Sequence, residues 1–118
     1  MSRIDNFEDL EIWKTARLVV KDVYSDFKEN RDYSFKDQVC RAAISVINNI
    51  SEGFNRDGTR EFVQFLKIAK GSAGEVKNMY YVALDLNYIS EDLRKTRQTE
   101  IQGLVNGISK LIVYLRSK

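Results

Sequence analysis

Residues 35–53 read FKDQVCRAAISVINNISEG, and the spacing of their apolar side chains decides the fold. Phe35, Val39, Ala42, Ala43, Val46, Ile47 and Ile50 recur at steps of mostly three and four residues. At about 100° per residue they gather on one broad helical face. Gln38, Arg41, Ser45, Asn48 and Glu52 step by 3, 4, 3 and 4, and fall on the opposite face. One helix thus offers a core surface on one side and an ordered polar surface on the other.

The same period extends outward in both directions. Upstream, Trp13, Ala16, Val20, Val23, Tyr24 and Phe27 predict a helix starting near residues 7–8, with Asn6 as its cap. Lys14, Arg17, Lys21 and Lys28 form one flank of it, and Glu8, Glu11, Asp22 and Asp26 gather on another side. Opposite-signed edges of this kind can meet between neighbouring subunits of a ring. The polar link at 28–34 leads to Ser34 as cap of the central helix, which ends where Gly53 can turn left-handed.

Downstream, Thr59 caps a third helix whose seam is Phe62, Leu66, Ala69, Ala73, Val76, Tyr80 and Ala83. Gly71 and Gly74 interrupt it, each at a cost of about 1 kcal/mol relative to alanine. That cost implies a close approach by another helix or subunit, or a bend. A short link ends at Ser90, the cap of a fourth helix carrying Leu93, Ile101, Leu104, Val105, Ile108, Leu111, Ile112 and Leu115. Short links force antiparallel neighbours. The expectation is an all-α, up-down-up-down four-helix bundle, with residues 1–118 forming a single domain.

Composition agrees. The chain of 118 residues has no proline, which suits long helices, and 43% apolar residues, enough for a core. Net charge is +2, unevenly spread: residues 1–32 carry −2 (6 basic, 8 acidic), 33–93 −1 (7 and 8), and 94–118 +5 (6 and 1). A basic end can attract a polyanion. The N-terminus is too acidic for a signal peptide, and no run approaches the roughly 18 apolar residues of a membrane span. Cys40 has no intrachain partner, so a reducing, cytoplasmic setting is expected.

Enzymatic chemistry finds little support. The absence of histidine removes the commonest general base and metal ligand. A single cysteine cannot build a thiolate zinc site, and the Glu plus Glu-x-x-His sets of metal-binding bundles are missing. No cofactor or metal is expected, and Cys40 reads as a small buried thiol. Glu52, at a helix end, invites Arg41 or Arg56 as its partner. The Gly71–Gly74 segment lacks P-loop spacing and follows no strand.

Four segments carry a family resemblance: FEDLEIW at 7–13, QVCRAA at 38–43, SVINNISEG at 45–53 and EFVQFLKIAKGS at 61–72. In this order and spacing the chain resembles the four-helix-bundle proteins also called large-subunit ribosomal RNA intervening-sequence proteins. The bundle is also similar to the accessory variability determinants of diversity-generating retroelements, which partner a reverse transcriptase and bind nucleic acid. The resemblance implies a non-enzymatic bundle assembled into a ring, typically a pentamer, with RNA or DNA as proposed ligand. Its framework residues are Gln38, Arg41, Asn48, Glu52, Gly53, Gly71 and Ser72. Gly74 after Ala73 and the near-neutral charge depart from that pattern.

Two functions follow as expectations. The first is a homo-oligomeric accessory protein that contacts RNA or DNA through Lys14, Arg17 and Lys21, and through Arg94, Lys95 and Arg97. The second is a structural adaptor for a partner protein, using the Gln38–Glu52 polar strip or the glycine patch as interface.

Overall fold

The computed structural model describes residues 4–118. A 3-10 turn at Phe7–Asp9 precedes α1 (Glu11–Asp26), α2 (Tyr33–Phe54), α3 (Thr59–Asp85) and α4 (Glu91–Arg116). The four helices pack antiparallel in an elongated bundle of 46 × 23 × 19 Å, as the periodicity predicts. Its length matches α4, since 26 residues at about 1.5 Å each span roughly 40 Å. α2 packs against α1 and α3, and α4 packs against α3 and α1. α1 and α3 therefore sit across a diagonal and meet through side chains, with the Phe27 and Tyr80 rings 5.4 Å apart.

The core follows the helical stripes. Val39, Ala43, Val46 and Ile50 of α2 and Leu66, Ala69, Val76, Tyr80 and Ala83 of α3 are almost completely buried. Ile101, Leu104 and Ile108 supply the face of α4. Burying a Leu or Ile side chain contributes about 1.5–3 kcal/mol, which is why these stripes, rather than local propensity, fix the helices. Among the described residues no helix is long and apolar enough to cross a membrane.

Several boundaries differ from the sequence expectation. α1 begins at Glu11 because Leu10, drawn into the core, has extended backbone between the 3-10 turn and the helix; Asn6 makes no side-chain cap. The buried stripe of α1 is Ile12, Ala16, Val19 and Val23, so Trp13 and Val20 sit half-buried and Tyr24 is exposed. Asp32, not Ser34, caps α2: its Oδ1 accepts from the Phe35 amide at 3.1 Å. An aspartate is an equally good cap, and here it also receives the Tyr88 hydroxyl at 2.6 Å, tying the α3–α4 link to α2. Gly58 occupies the cap position of α3 and Thr59 is its first helical residue. Ser90 caps α4 as expected, accepting from the Leu93 amide at 3.1 Å.

Gly53 lies inside α2 with no left-handed backbone. A Cβ placed there would fall 2.6 Å from Phe65 Cβ and 3.0 Å from Phe62 Cδ1. It is a close-packing glycine where α2 meets α3. Gly71 and Gly74 are the reverse: a Cβ at either meets nothing within 4 Å, so no helix of this chain presses on them.

Candidate functional site

Helix α3 presents Lys67, Lys70, Gly74, Lys77 and Tyr81 at steps of 3, 4, 3 and 4. Helix α4 answers with Lys95, Thr99, Gln102, Asn106, Ser109, Val113 and Arg116, stepping alternately by 4 and 3. Each set is one stripe of its helix. Because α3 and α4 are antiparallel neighbours, the two stripes face each other across one surface groove. Its middle section encloses about 670 Å³. It shares Lys77 and Gln102 with the section at the start of α4, and Lys67 and Arg116 with the section at the start of α3. Residues 60–81 of α3 give the groove a length of roughly 30 Å at helical rise.

Seven cations line this groove: Arg60, Lys67, Lys70, Lys77, Arg94, Lys95 and Arg116. No acidic side chain lines it among the described residues. Lys67, Lys70, Lys95 and Arg116 have no ion-pair partner among those residues. Gly71, Gly74 and Gly103 leave the backbone bare, since a Cβ at each would meet open space. A chain of amides is anchored to the same walls. Arg94 Nη1 donates to Gln98 Oε1 at 2.9 Å, and Gln98 Nε2 donates to the Lys77 carbonyl at 3.0 Å. Lys77 Nζ donates to Gln102 Oε1 at 2.7 Å, and Gln102 Nε2 donates to Asn106 Oδ1 at 2.9 Å.

The six basic residues singled out from the sequence do not form one surface. Lys14, Arg17 and Lys21 share a patch on the outer side of α1 with Trp13, Leu18 and Val20. Lys14 lies 3.5 Å from Glu11, and Arg17 sits over the Trp13 ring at 5.6 Å. Lys95 and Arg94 stand at one end of the α3–α4 groove, where Arg94 also pairs with Glu91 and lies 5.5 Å over the Tyr81 ring.

Arg97 turns inward. Its Nε and Nη2 donate to the two carboxylate oxygens of Asp26 at 2.7 and 3.0 Å, and its Nη1 lies 3.5 Å from Asp22. The Tyr80 hydroxyl donates to Asp26 at 2.6 Å, closing a network across α1, α3 and α4. The bond to Asp26 holds the Arg97 guanidinium well above its ordinary value, and burial raises the Tyr80 phenol. Glu100 lies 3.7 Å from Arg97; burial, followed by its hydrogen bond to Asp22, pushes its carboxyl up to about 7. Asp22 and Asp26, two of the four acids of the edge expected to meet a neighbouring subunit, are thereby engaged within the chain.

The framework residues divide by role. Gln38 Nε2 lies 3.5 Å from Glu75, and Ser72 and Ser45 hydroxyls are 2.8 Å apart, linking α2 to α3. Arg41 pairs with Asp37 at 3.0 Å, and Glu52 with Arg56 at 3.4 Å, both on the surface. Asn48 is exposed, and Cys40 is buried, with burial raising its thiol. Among the described residues no group of three or more His, Cys, Asp or Glu is placed to hold a metal.

No curated protein matches the chain. A solved structure from Bacteroides thetaiotaomicron, described as a protein of unknown function from the S23 ribosomal protein family, is similar in fold. The TM-score is 0.80 at 16% identity, covering 86% of this chain and 97% of that one. The family model of 23S rRNA-intervening sequence proteins matches residues 8–112, nearly the whole bundle. The chain therefore belongs to the 23S rRNA-intervening sequence protein family.

Proposed function

We propose that this protein is a non-enzymatic, homo-oligomeric bundle that associates with nucleic acid through the α3–α4 groove. The observation that carries this reading is seven cations and no carboxylate lining the groove among the described residues, over roughly 30 Å, with Arg94 paired to Glu91 outside the lining. Such a stripe matches the electrostatic demand of a phosphate chain, whose contacts supply most non-specific affinity. Lys14, Arg17 and Lys21 form a second, smaller cationic patch on another side of the bundle; Arg97 is engaged internally and is not part of either surface. Exposed Leu18 and Ile68 are available to pair copies of the chain.

The test is fluorescence anisotropy of labelled RNA and DNA across a salt series. Binding should weaken steeply with salt, and each of Lys67→Ala, Lys70→Ala and Lys95→Ala should reduce the slope by about one unit. Unchanged slopes in all three would remove the groove from the binding surface. A second reading, a protein adaptor, is favoured by the bare backbone at Gly71 and Gly74. It predicts no binding at low salt, and loss of assembly in Gly71→Leu with helicity retained.

A further inference from the structure

We propose that the α3–α4 groove takes a single strand rather than a duplex, with one unpaired base stacked at Tyr81. This rests on the nucleic-acid reading above and specifies its ligand. Among the described residues Tyr81 is the one aromatic lining the groove; it stands at the end of the groove where α4 begins and is 49% exposed. Tyr80 beside it points to the core at 0% exposure, and the helical turn of about 100° carries the Tyr81 ring out onto the groove. The Arg94 guanidinium lies over the ring, 5.5 Å from its centroid, so one face carries a planar cation and a base would stack on the other. That pairing is what single-strand binding surfaces offer a base: stacking that tolerates any sequence, reinforced by a cation.

The rest of the groove suits a thin ligand. Antiparallel helices pack about 8–10 Å apart, which leaves a furrow between them narrower than a nucleic-acid duplex. The glycine positions lower its floor further, because no side chain stands between the backbone and a ligand at Gly71, Gly74 or Gly103. A strand lying in the furrow would reach Lys70 and Lys77 on one wall and Lys95 on the other. Val113, 67% exposed, adds an apolar surface near the far end for a sugar or base face. In a duplex the bases are stacked and paired and cannot reach Tyr81, and the phosphates meet only the rim. At the roughly 30 Å length derived above, the furrow holds about 5–8 nucleotides, within the range seen for single-strand sites.

The amide chain beside Tyr81 supports a fixed geometry. Gln98 and Gln102 each use both ends of their amides on protein partners, which locks the wall next to the ring. Ordered walls reduce the entropy lost when a strand is immobilised.

The experiment compares a labelled single-stranded RNA of about 12 nucleotides with the same strand annealed to its complement. The wild type is measured alongside Tyr81→Ala, Tyr81→Phe and Lys70→Ala, with circular dichroism and sedimentation reporting fold and assembly. The single strand should bind at least about tenfold more tightly than the duplex. Tyr81→Ala should weaken single-strand binding about 5- to 100-fold with an unchanged salt slope, and Tyr81→Phe should retain it. Lys70→Ala should instead lower the slope by about one unit. Equal binding of strand and duplex, with Tyr81→Ala neutral, overturns the stacking site while the Lys70 effect keeps the polyanion groove. No binding of either RNA overturns both. A changed sedimentation in Tyr81→Ala makes the groove a contact between copies of the chain and overturns the proposal.

Discussion

At Arg97 a single guanidinium balances Asp26, Asp22 and Glu100, and the balance explains why it cannot be exchanged for an apolar residue. The Asp26 side chain is only 7% exposed, and its carboxylate is held by Arg97 and Tyr80. Arg97→Met would leave that charge uncompensated, at a cost of about 3–5 kcal/mol in chemical denaturation. A loss under 1 kcal/mol would show that water replaces the guanidinium. Glu100 is the surplus acid. Its folded carboxyl titrates near 7 against an ordinary 4.5, so the folded protein holds a proton that the unfolded chain releases. Stability from this group is present below the ordinary value and is lost as pH rises towards 7. Burial sets that sign first; the hydrogen bond to Asp22 and the charges of Asp22 and Asp26 from α1 add to it, Arg97 opposes them, and Tyr80 brings no charge. Glu100→Gln should therefore be more stable than wild type at pH 8, by roughly 2–3 kcal/mol, with the difference vanishing at pH 4. A gap that widens on acidification would reverse the assignment.

Among the elements, α2 and α3 show glycine used in two ways. Gly53 lets the helices approach until Phe62 and Phe65 fill the space a side chain would need. Gly53→Ala should cost about 1–3 kcal/mol, because Phe65 Cβ is fixed to its backbone and the helices must separate. Gly71→Ala meets open space and should raise stability by about 0.5–1 kcal/mol through helix propensity. Thermal unfolding of the pair tests both, and a destabilised Gly71→Ala would mean that something outside this chain occupies the position. The core stripes were legible in sequence because burial imposes the helical period directly on residues such as Val39, Val46, Leu66 and Ile108. Gly53 was misread because a glycine near a helix end has the same sequence signature whether it turns the chain or admits a neighbour. The basic stripe of α3 was equally regular, but acids on other faces brought residues 33–93 to a net −1 and hid it. The partnership of Arg97 with Asp26, 71 positions apart, follows only from the antiparallel pairing of α1 and α4.

For the whole molecule, the engagement of Asp22 and Asp26 bears on how copies of the chain would assemble. A ring held by opposed charge strips needs the acidic face of α1, and the structure turns its two innermost acids to Arg97. Glu11, on the surface and 3.5 Å from Lys14, and the exposed Glu8 are the acids of that face turned to solvent. Apolar side chains remain, with Leu18 56% and Ile68 52% exposed, and apolar burial strengthens rather than weakens in salt. At 1 M salt the Debye length falls to about 3 Å, so contacts between surface charges on separate copies would be screened. The proposed homo-oligomer, expected to sediment near five times 13.7 kDa, should therefore persist from about 0.1 to 1 M sodium chloride. Leu18→Glu should dissociate it while circular dichroism keeps its helical signature, since Leu18 lies outside the core. Dissociation of the wild type at high salt would instead return the interface to the charged strips. A dissociated Leu18→Glu chain that still bound RNA with an undiminished salt slope would place the polyanion surface within one copy, where the α3–α4 groove lies.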